Sequence, residues 1–168
     1  MKRLLLMRHG EARNPEPGQS DHQRILTRKG QRDMGRLHHT LRAEALLPSF
    51  ALASDACRTL MTLQEVTGGD FTGAVAFSPG LYNADAAKII EAVQLLDDDH
   101  ESALIIAHNP GIYEAVMNLV QASSLPELQS KIGVNYPSGT LTVLECPIEK
   151  WSDLRPQANK FVKLFIPD

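Results

Sequence analysis

The sequence predicts an α/β fold, a three-layer α/β/α sandwich around a mostly parallel central sheet. Three observations carry this. Short apolar runs of strand length recur at residues 3–7, 50–53 and 102–107. Between them lie longer stretches whose apolar residues repeat with helical spacing. Two further apolar runs, Thr140–Glu145 and Phe161–Ile166, follow each other with no strong helical pattern between them. They read as an antiparallel extension of the sheet. At 168 residues and 43% hydrophobic content the chain reads as a single domain, 1–168.

The first strand, residues 3–7, is Leu-rich and stops at Arg8-His9-Gly10. Residues 8–26 hold Pro15, Pro17 and Gly18 and cannot form a regular helix. Thr27 is placed to cap a helix over about 28–46, with Met34, Leu37, Leu41 and Ala45 on one side and Pro48 beyond its end. A strand at 50–53 leads into a helix over about 56–66, which Gly68-Gly69 terminates. Ala74–Phe77 is a short strand and Ala84–Leu96 a helix, with Asp97-Asp98-Asp99 as a solvated turn. The strand at 102–107 is followed by a helix over about 110–122, where Pro110 suits the first turn. No element is assigned between about 122 and Thr140, and Trp151 falls in the final connection. There is no internal repeat.

Three strand ends deliver chemistry: Arg8-His9-Gly10 after the first, Arg58 in the turn after the second, and His108 after the strand at 102–107. In a parallel sheet the carboxyl ends share one edge, where open α/β sheets place their ligands. The arginine fork matches phosphate geometry. A neutral imidazole is a good nucleophile toward phosphorus. A glycine lets the backbone approach an oxyanion with no Cβ in the way. Two arginines and two histidines on one edge make an anion pocket with a nucleophile in it.

With these residues the chain resembles the histidine phosphatase superfamily, the phosphoglycerate-mutase-like fold. The resemblance rests on Leu6-Met-Arg-His-Gly-Glu-Ala12, Ser54-Asp-Ala-Cys-Arg-Thr59 and Ala107-His-Asn-Pro110. Ser20–Thr27 followed by Gly30, and Leu81-Tyr82-Asn83-Ala84, are similar to its SixA-type phosphohistidine phosphatase branch. The resemblance implies a phosphohistidine intermediate on His9, with Arg8 and Arg58 on the non-bridging oxygens. His108 would face the phosphate as a further donor, in its charged form. Asn14 matches an asparagine that follows the Arg-His-Gly motif and would donate to phosphate. Arg24 would be another phosphate ligand, and Asp21 either a proton donor or the residue that orients Arg24. Glu11 reads as a loop residue, and His22, His38, His39 and His100 as helix-surface or loop residues.

Two departures from the family pattern bear on substrate. Many relatives carry a carboxylic acid where this chain has Asn83, and an amide supplies no proton at neutral pH. A phosphohistidine needs such a proton less than an alkyl ester does. Larger relatives also carry insertions that enclose small sugar phosphates. None occurs here, so no lid domain is expected and an open pocket would suit a phosphate displayed on a protein.

The expected partner is therefore a phosphorylated protein bearing phosphohistidine, or a small phosphate ester. The alternatives are a small-metabolite phosphatase and a catalytically silent phosphate-binding module. A net charge of −3 argues against bulk nucleic-acid binding. Cys57 and Cys146 give neither a disulfide framework nor metal spacing, and neither is followed by arginine six residues on, so a cysteine-phosphatase loop is absent. No Gly-x4-Gly-Lys loop exists. Neither a cofactor nor a metal is expected. Only four apolar residues separate Arg3 from Arg8, too few for a signal-peptide core, and no apolar stretch approaches a membrane span. A monomer in a reducing cytoplasm is the simplest expectation.

Overall fold

A computed structural model describes residues 1–168. The chain runs β1 (Lys2–Arg8), α1 (Arg28–Ala43), β2 (Phe50–Ser54), α2 (Cys57–Thr67), β3 (Ala74–Ser78), α3 (Ala86–Gln94), β4 (Ser102–Ala107), α4 (Gly111–Leu119), α5 (Leu125–Ile132), β5 (Leu141–Cys146) and β6 (Lys160–Phe165). The six strands form one sheet in the order β3-β2-β4-β1-β5-β6. The first four of these are mutually parallel. β5 runs antiparallel to β1, and β6 antiparallel to β5, as the pattern of the last two runs implies.

Alternation along the buried strands builds two cores. Leu4, Leu6, Leu52, Ile105 and Leu144 face the layer of α3, α4 and α5. Leu5, Met7, Ala51, Ala53, Leu104, Ile106 and Val143 face Met34, Leu37 and Leu41 of α1 and Leu63 and Val66 of α2. Burying each large aliphatic side chain is worth about 1.5–3 kcal/mol. With both faces filled, a one-residue slip of β1 would exchange its two leucine sets between the cores, so its register is fixed.

Local signals place the ends. The Thr27 hydroxyl accepts from Gly30 N at 2.9 Å, so the expected cap is present. α1 stops at Ala43, short of the expected 46. Ala45 adopts φ 55° and is exposed, breaking the helix before its predicted last turn. α3 and α4 are likewise shorter than their patterns, and Pro110 sits one residue ahead of α4. α5 was not anticipated. Its apolar signal is only Leu125, Leu128 and Ile132, with Pro126 in its first turn. Asp98 is more than a solvated turn residue: its carboxylate accepts from Trp151 N at 2.7 Å and its carbonyl from Lys2 Nζ at 2.6 Å. No helix is long and apolar enough to cross a membrane.

The turn from β4 into α4 packs closely on the segment that carries Asn83. A Cβ at Gly111 would lie 1.9 Å from the Ala84 carbonyl oxygen, a backbone atom that cannot step aside alone. Gly111→Ala is expected to lower stability by about 1–3 kcal/mol, the usual cost of overpacking. A urea-unfolding midpoint equal to that of the wild type would overturn this.

Candidate active site

β1 ends in Arg8 and leads directly to His9, whose amide continues the ladder by donating to the Ala107 carbonyl at 3.2 Å. The His9 ring is buried. Its Nδ1 lies 2.8 Å from the Gly10 carbonyl, which only accepts, so Nδ1 carries the proton and donates. The Nε2 lone pair is left facing the cleft and receives Arg58 Nε at 3.3 Å. Burial, with smaller contributions from His108, Arg58 and Arg8, pushes the His9 pKa down to about 3, against the opposing pull of the Gly10 carbonyl. The ring is therefore neutral and oriented, as a nucleophile requires. Gly10 serves differently from its expected role. Its amide donates to Thr62 Oγ1 at 2.9 Å, away from any oxyanion. A Cβ there would meet Met34 Cγ at 3.0 Å, so close packing against α1 favours glycine.

Arg58, in the first turn of α2, is buried and almost fully engaged. Nη1 donates to the Asp21 carbonyl at 2.8 Å. Nη2 donates to Asp21 Oδ2 and to His108 Nδ1, both at 3.1 Å. The Asp21 carboxylate also accepts from Arg24 Nη1 at 2.9 Å and from the Tyr82 hydroxyl. Tyr82, Arg24 and Arg58 together hold the Asp21 carboxyl well below the usual carboxylate range. Arg24 Nε donates to the Arg13 carbonyl at 2.7 Å, anchoring it to the loop before the short turn at Asp21–Gln23. Of the two alternatives for Asp21, the geometry fits the orienting role: it positions Arg24, and Arg58 with it.

His108 follows β4 and lies across from His9, with ring centroids 5.2 Å apart. The expectation of a charged His108 is corrected. Burial first, and the Arg58 guanidinium second, push its pKa down to about 4. Its Nε2 is 2.6 Å from Ser54 Oγ. Arg8 reaches across to the loop before β5, where Nη1 donates to the Tyr136 carbonyl at 2.8 Å. The same carbonyl accepts Asn109 Nδ2 at 3.0 Å. Burial and the neighbouring Arg58 charge lower the Arg8 pKa, as two cations facing one cleft should.

These groups line an open cleft of about 400 Å³. Arg8, His9, Asp21, Arg24, Arg58 and His108 all contribute to it, and Glu11, Ala12, Asn83, Asn109 and Ser138 complete it. Asn14 does not. It is exposed in the loop between β1 and α1 and is not among the residues that line the cleft. Ser138 and Tyr136 carried no sequence signal, because they enter at the amino end of an antiparallel strand. Tyr82 and Asn109 lay inside quoted motifs without an assigned role. One histidine departs from the surface-or-loop reading: His38 is buried with Nδ1 on the Val66 carbonyl at 3.0 Å. His22 keeps to it, in the short turn at Asp21–Gln23, with Nε2 2.9 Å from Asp55 Oδ1 beside the Tyr82 ring.

No family model matches the chain. In sequence it is 27% identical over 162 residues to the uncharacterized protein Rv1276c of Mycobacterium tuberculosis, covering 96% of this chain and 99% of that protein. It is 30% identical over 132 residues to the uncharacterized chloroplastic protein At3g52155 of Arabidopsis thaliana, covering 73% and 61%. In structure it matches a candidate phosphohistidine phosphatase SixA of Nakamurella multipartitia, with a TM-score of 0.84, 26% identity and coverage of 99% and 96%. It also matches the protein histidine phosphatase SixA solved with tungstate, with a TM-score of 0.73, 22% identity and coverage of 96% and 95%. An Escherichia coli α-ribazole-5'-phosphate phosphatase candidate shares the fold at a TM-score of 0.66 and 15% identity, over 97% of this chain and 95% of that one. With the sheet order, the site geometry and these matches together, the chain has the fold of the histidine phosphatase superfamily and is built like its SixA-type members.

Proposed function

We propose that the protein dephosphorylates phosphohistidine on a partner protein through a phosphohistidine formed on His9. The observation that carries this is the absence of a poised proton donor beside a well-prepared nucleophile. Asp21 is held ionised by three donors, and the relatives' acid position is Asn83. Glu11 lies at the rim, with its carboxylate accepting the Thr27 hydroxyl at 2.8 Å. An alkoxide leaving group needs a proton in the transition state. An imidazole protonated on its distal nitrogen leaves as a neutral ring.

The chemistry then follows from the residues. The His9 Nε2 lone pair attacks phosphorus, and the bond from phosphorus to the substrate nitrogen breaks. The substrate ring departs with the electron pair of that bond, which quenches its own positive charge. Arg8, Arg24 and Arg58 offset the charge on the three non-bridging oxygens, the main electrostatic demand of phosphoryl transfer. Water then attacks the phosphoryl group on His9, releasing phosphate and restoring the Nε2 lone pair. The short β2–α2 connection and the segment at 79–85 leave the cleft open, which suits a phosphoryl group presented on a protein surface. The partner is accordingly a phosphorylated protein rather than nucleic acid, and the chemistry asks for neither metal nor cofactor.

The test is phosphate release from a phosphohistidine-bearing protein with chelator present, beside aryl and alkyl phosphates. Rates are expected to fall in the order phosphohistidine, aryl, alkyl, and His9→Ala to lose at least ~10³-fold. Equal rates on alkyl phosphate and phosphohistidine would overturn the specificity. Aryl turnover with no phosphohistidine release would move the assignment to small metabolites.

Asp21 sits on Arg58 as an internal anion, so Asp21→Asn should bind inorganic phosphate several-fold more tightly. It should also keep phosphohistidine turnover within about tenfold of wild type, because removing a true general acid costs ~10²–10⁴. A loss of that size would identify Asp21 as the acid.

The His9 ring should stay unprotonated between pH 8 and 5 in the free protein, as read by NMR. A titration midpoint near 6.5 would refute its burial. Both rings regain an ordinary pKa of 6.5 on unfolding, so the unfolded chain takes up protons that the native state refuses. Stability is therefore expected to fall as the pH drops from 6.5 toward 4.

A further inference from the structure

Ser54 and Thr59 bracket Arg58 in the motif but touch no part of the cleft. Both are fully buried, and both hydroxyls belong to one directed chain of hydrogen bonds. Thr59 Oγ1 lies 2.7 Å from two backbone carbonyls, those of Ser54 and Ala56. Carbonyls only accept, so the single Thr59 hydroxyl proton is spent on them. The 2.8 Å contact between Ser54 Oγ and Thr59 Oγ1 must then have Ser54 as donor. With its own proton committed, Ser54 Oγ can only accept from His108 Nε2 at 2.6 Å. His108 therefore carries its proton on Nε2 and presents a bare lone pair at Nδ1. The opposite end of the chain fits the same assignment. Arg58 Nη2 has only protons to offer, and it meets His108 Nδ1 at 3.1 Å.

We propose that Ser54 and Thr59 are positioning residues that fix the tautomer of His108 and, through it, the plane of Arg58. The guanidinium bridges the two imidazoles, with Nε on His9 Nε2 at 3.3 Å and Nη2 on His108 Nδ1. Were the His108 proton to move to Nδ1, donor would face donor and Arg58 would be turned out of that plane. The edge it offers to His9 and to the phosphoryl oxygens would be lost. The relay thus sets the geometry of the phosphate site from behind, without touching substrate. Its catalytic consequence rests on the phosphatase function proposed above, while the tautomer itself does not.

Three variants test it: Ser54→Ala removes the acceptor, Thr59→Val removes the end of the chain at nearly constant shape, and Thr59→Ser restores the hydroxyl. The readouts are the ¹⁵N shifts of His108 in the free protein, the affinity for inorganic phosphate, and kcat/KM on an aryl phosphate. In wild type and Thr59→Ser the shifts should report a single Nε2–H tautomer. In Ser54→Ala and Thr59→Val they should move toward Nδ1–H, with phosphate affinity and kcat/KM both down about tenfold, the size expected when a buried donor loses its partner. An unchanged Nε2–H tautomer in Ser54→Ala overturns the relay. A shifted tautomer with phosphate affinity unchanged overturns its positioning role. Should wild type turn over no phosphate compound, the phosphatase function fails, and the ¹⁵N shifts and phosphate affinity still decide the relay.

Discussion

The buried guanidinium of Arg58 is the constraint around which this site is organised. A permanent cation removed from water is costly unless its donors are met. Here they are met by a carbonyl, a carboxylate and the lone pairs of two imidazoles. Each partner is shaped in return. Both rings stay neutral chiefly because they are buried, and the Arg58 charge beside them adds to the effect. The Asp21 carboxylate stays ionised because its donors favour the charged form. The short turn at Asp21–Gln23 is drawn over the cleft because its backbone carbonyl belongs to Arg58 as well. Nucleophile, anion site and entrance loop thus share one charge.

The proposed function draws on the same arrangement. Arg8, Arg24 and Arg58 gather fixed positive charge in the cleft, and Asn83, an amide that supplies no proton, lines it with them.

Much of this was legible in the sequence, for reasons that also mark the boundary of what was not. The alternating leucines of β1 and the runs at 50–53 and 102–107 declared buried parallel strands, and parallel strands bring their carboxyl ends together. Arg8, His9, Arg58 and His108 could therefore be placed on one edge from spacing alone. What spacing leaves out is direction and partnership. Ser138 reaches the cleft, and the Tyr136 carbonyl anchors Arg8 and Asn109, from the amino end of β5, an edge that the parallel rule does not describe. α5 is too short and too sparsely apolar to register. Asn14 had the right residue type at a plausible spacing but does not line the cleft. The charge state of His108 depends on burial and on where Ser54 and Arg58 lie. Gly10 looked like an oxyanion glycine, and close packing against Met34 is what favours it.

The position of β1 has a consequence for how the chain folds. The first strand to be synthesised is seated between β4 and β5, so Arg3 pairs with both Ser102 and Glu145. Until those later strands exist, β1 has no strand partner on either side, although Leu5 and Met7 can already meet α1 and α2. Such long-range pairing raises contact order and slows folding, because loop closure precedes any reward. His9 stands immediately after that strand, and its loop is closed by Gly139 N donating to the His9 carbonyl. A partly emerged chain therefore carries the Arg-His-Gly motif as unstructured sequence. Chemical competence arrives late and together, with the seating of β5 beside β1.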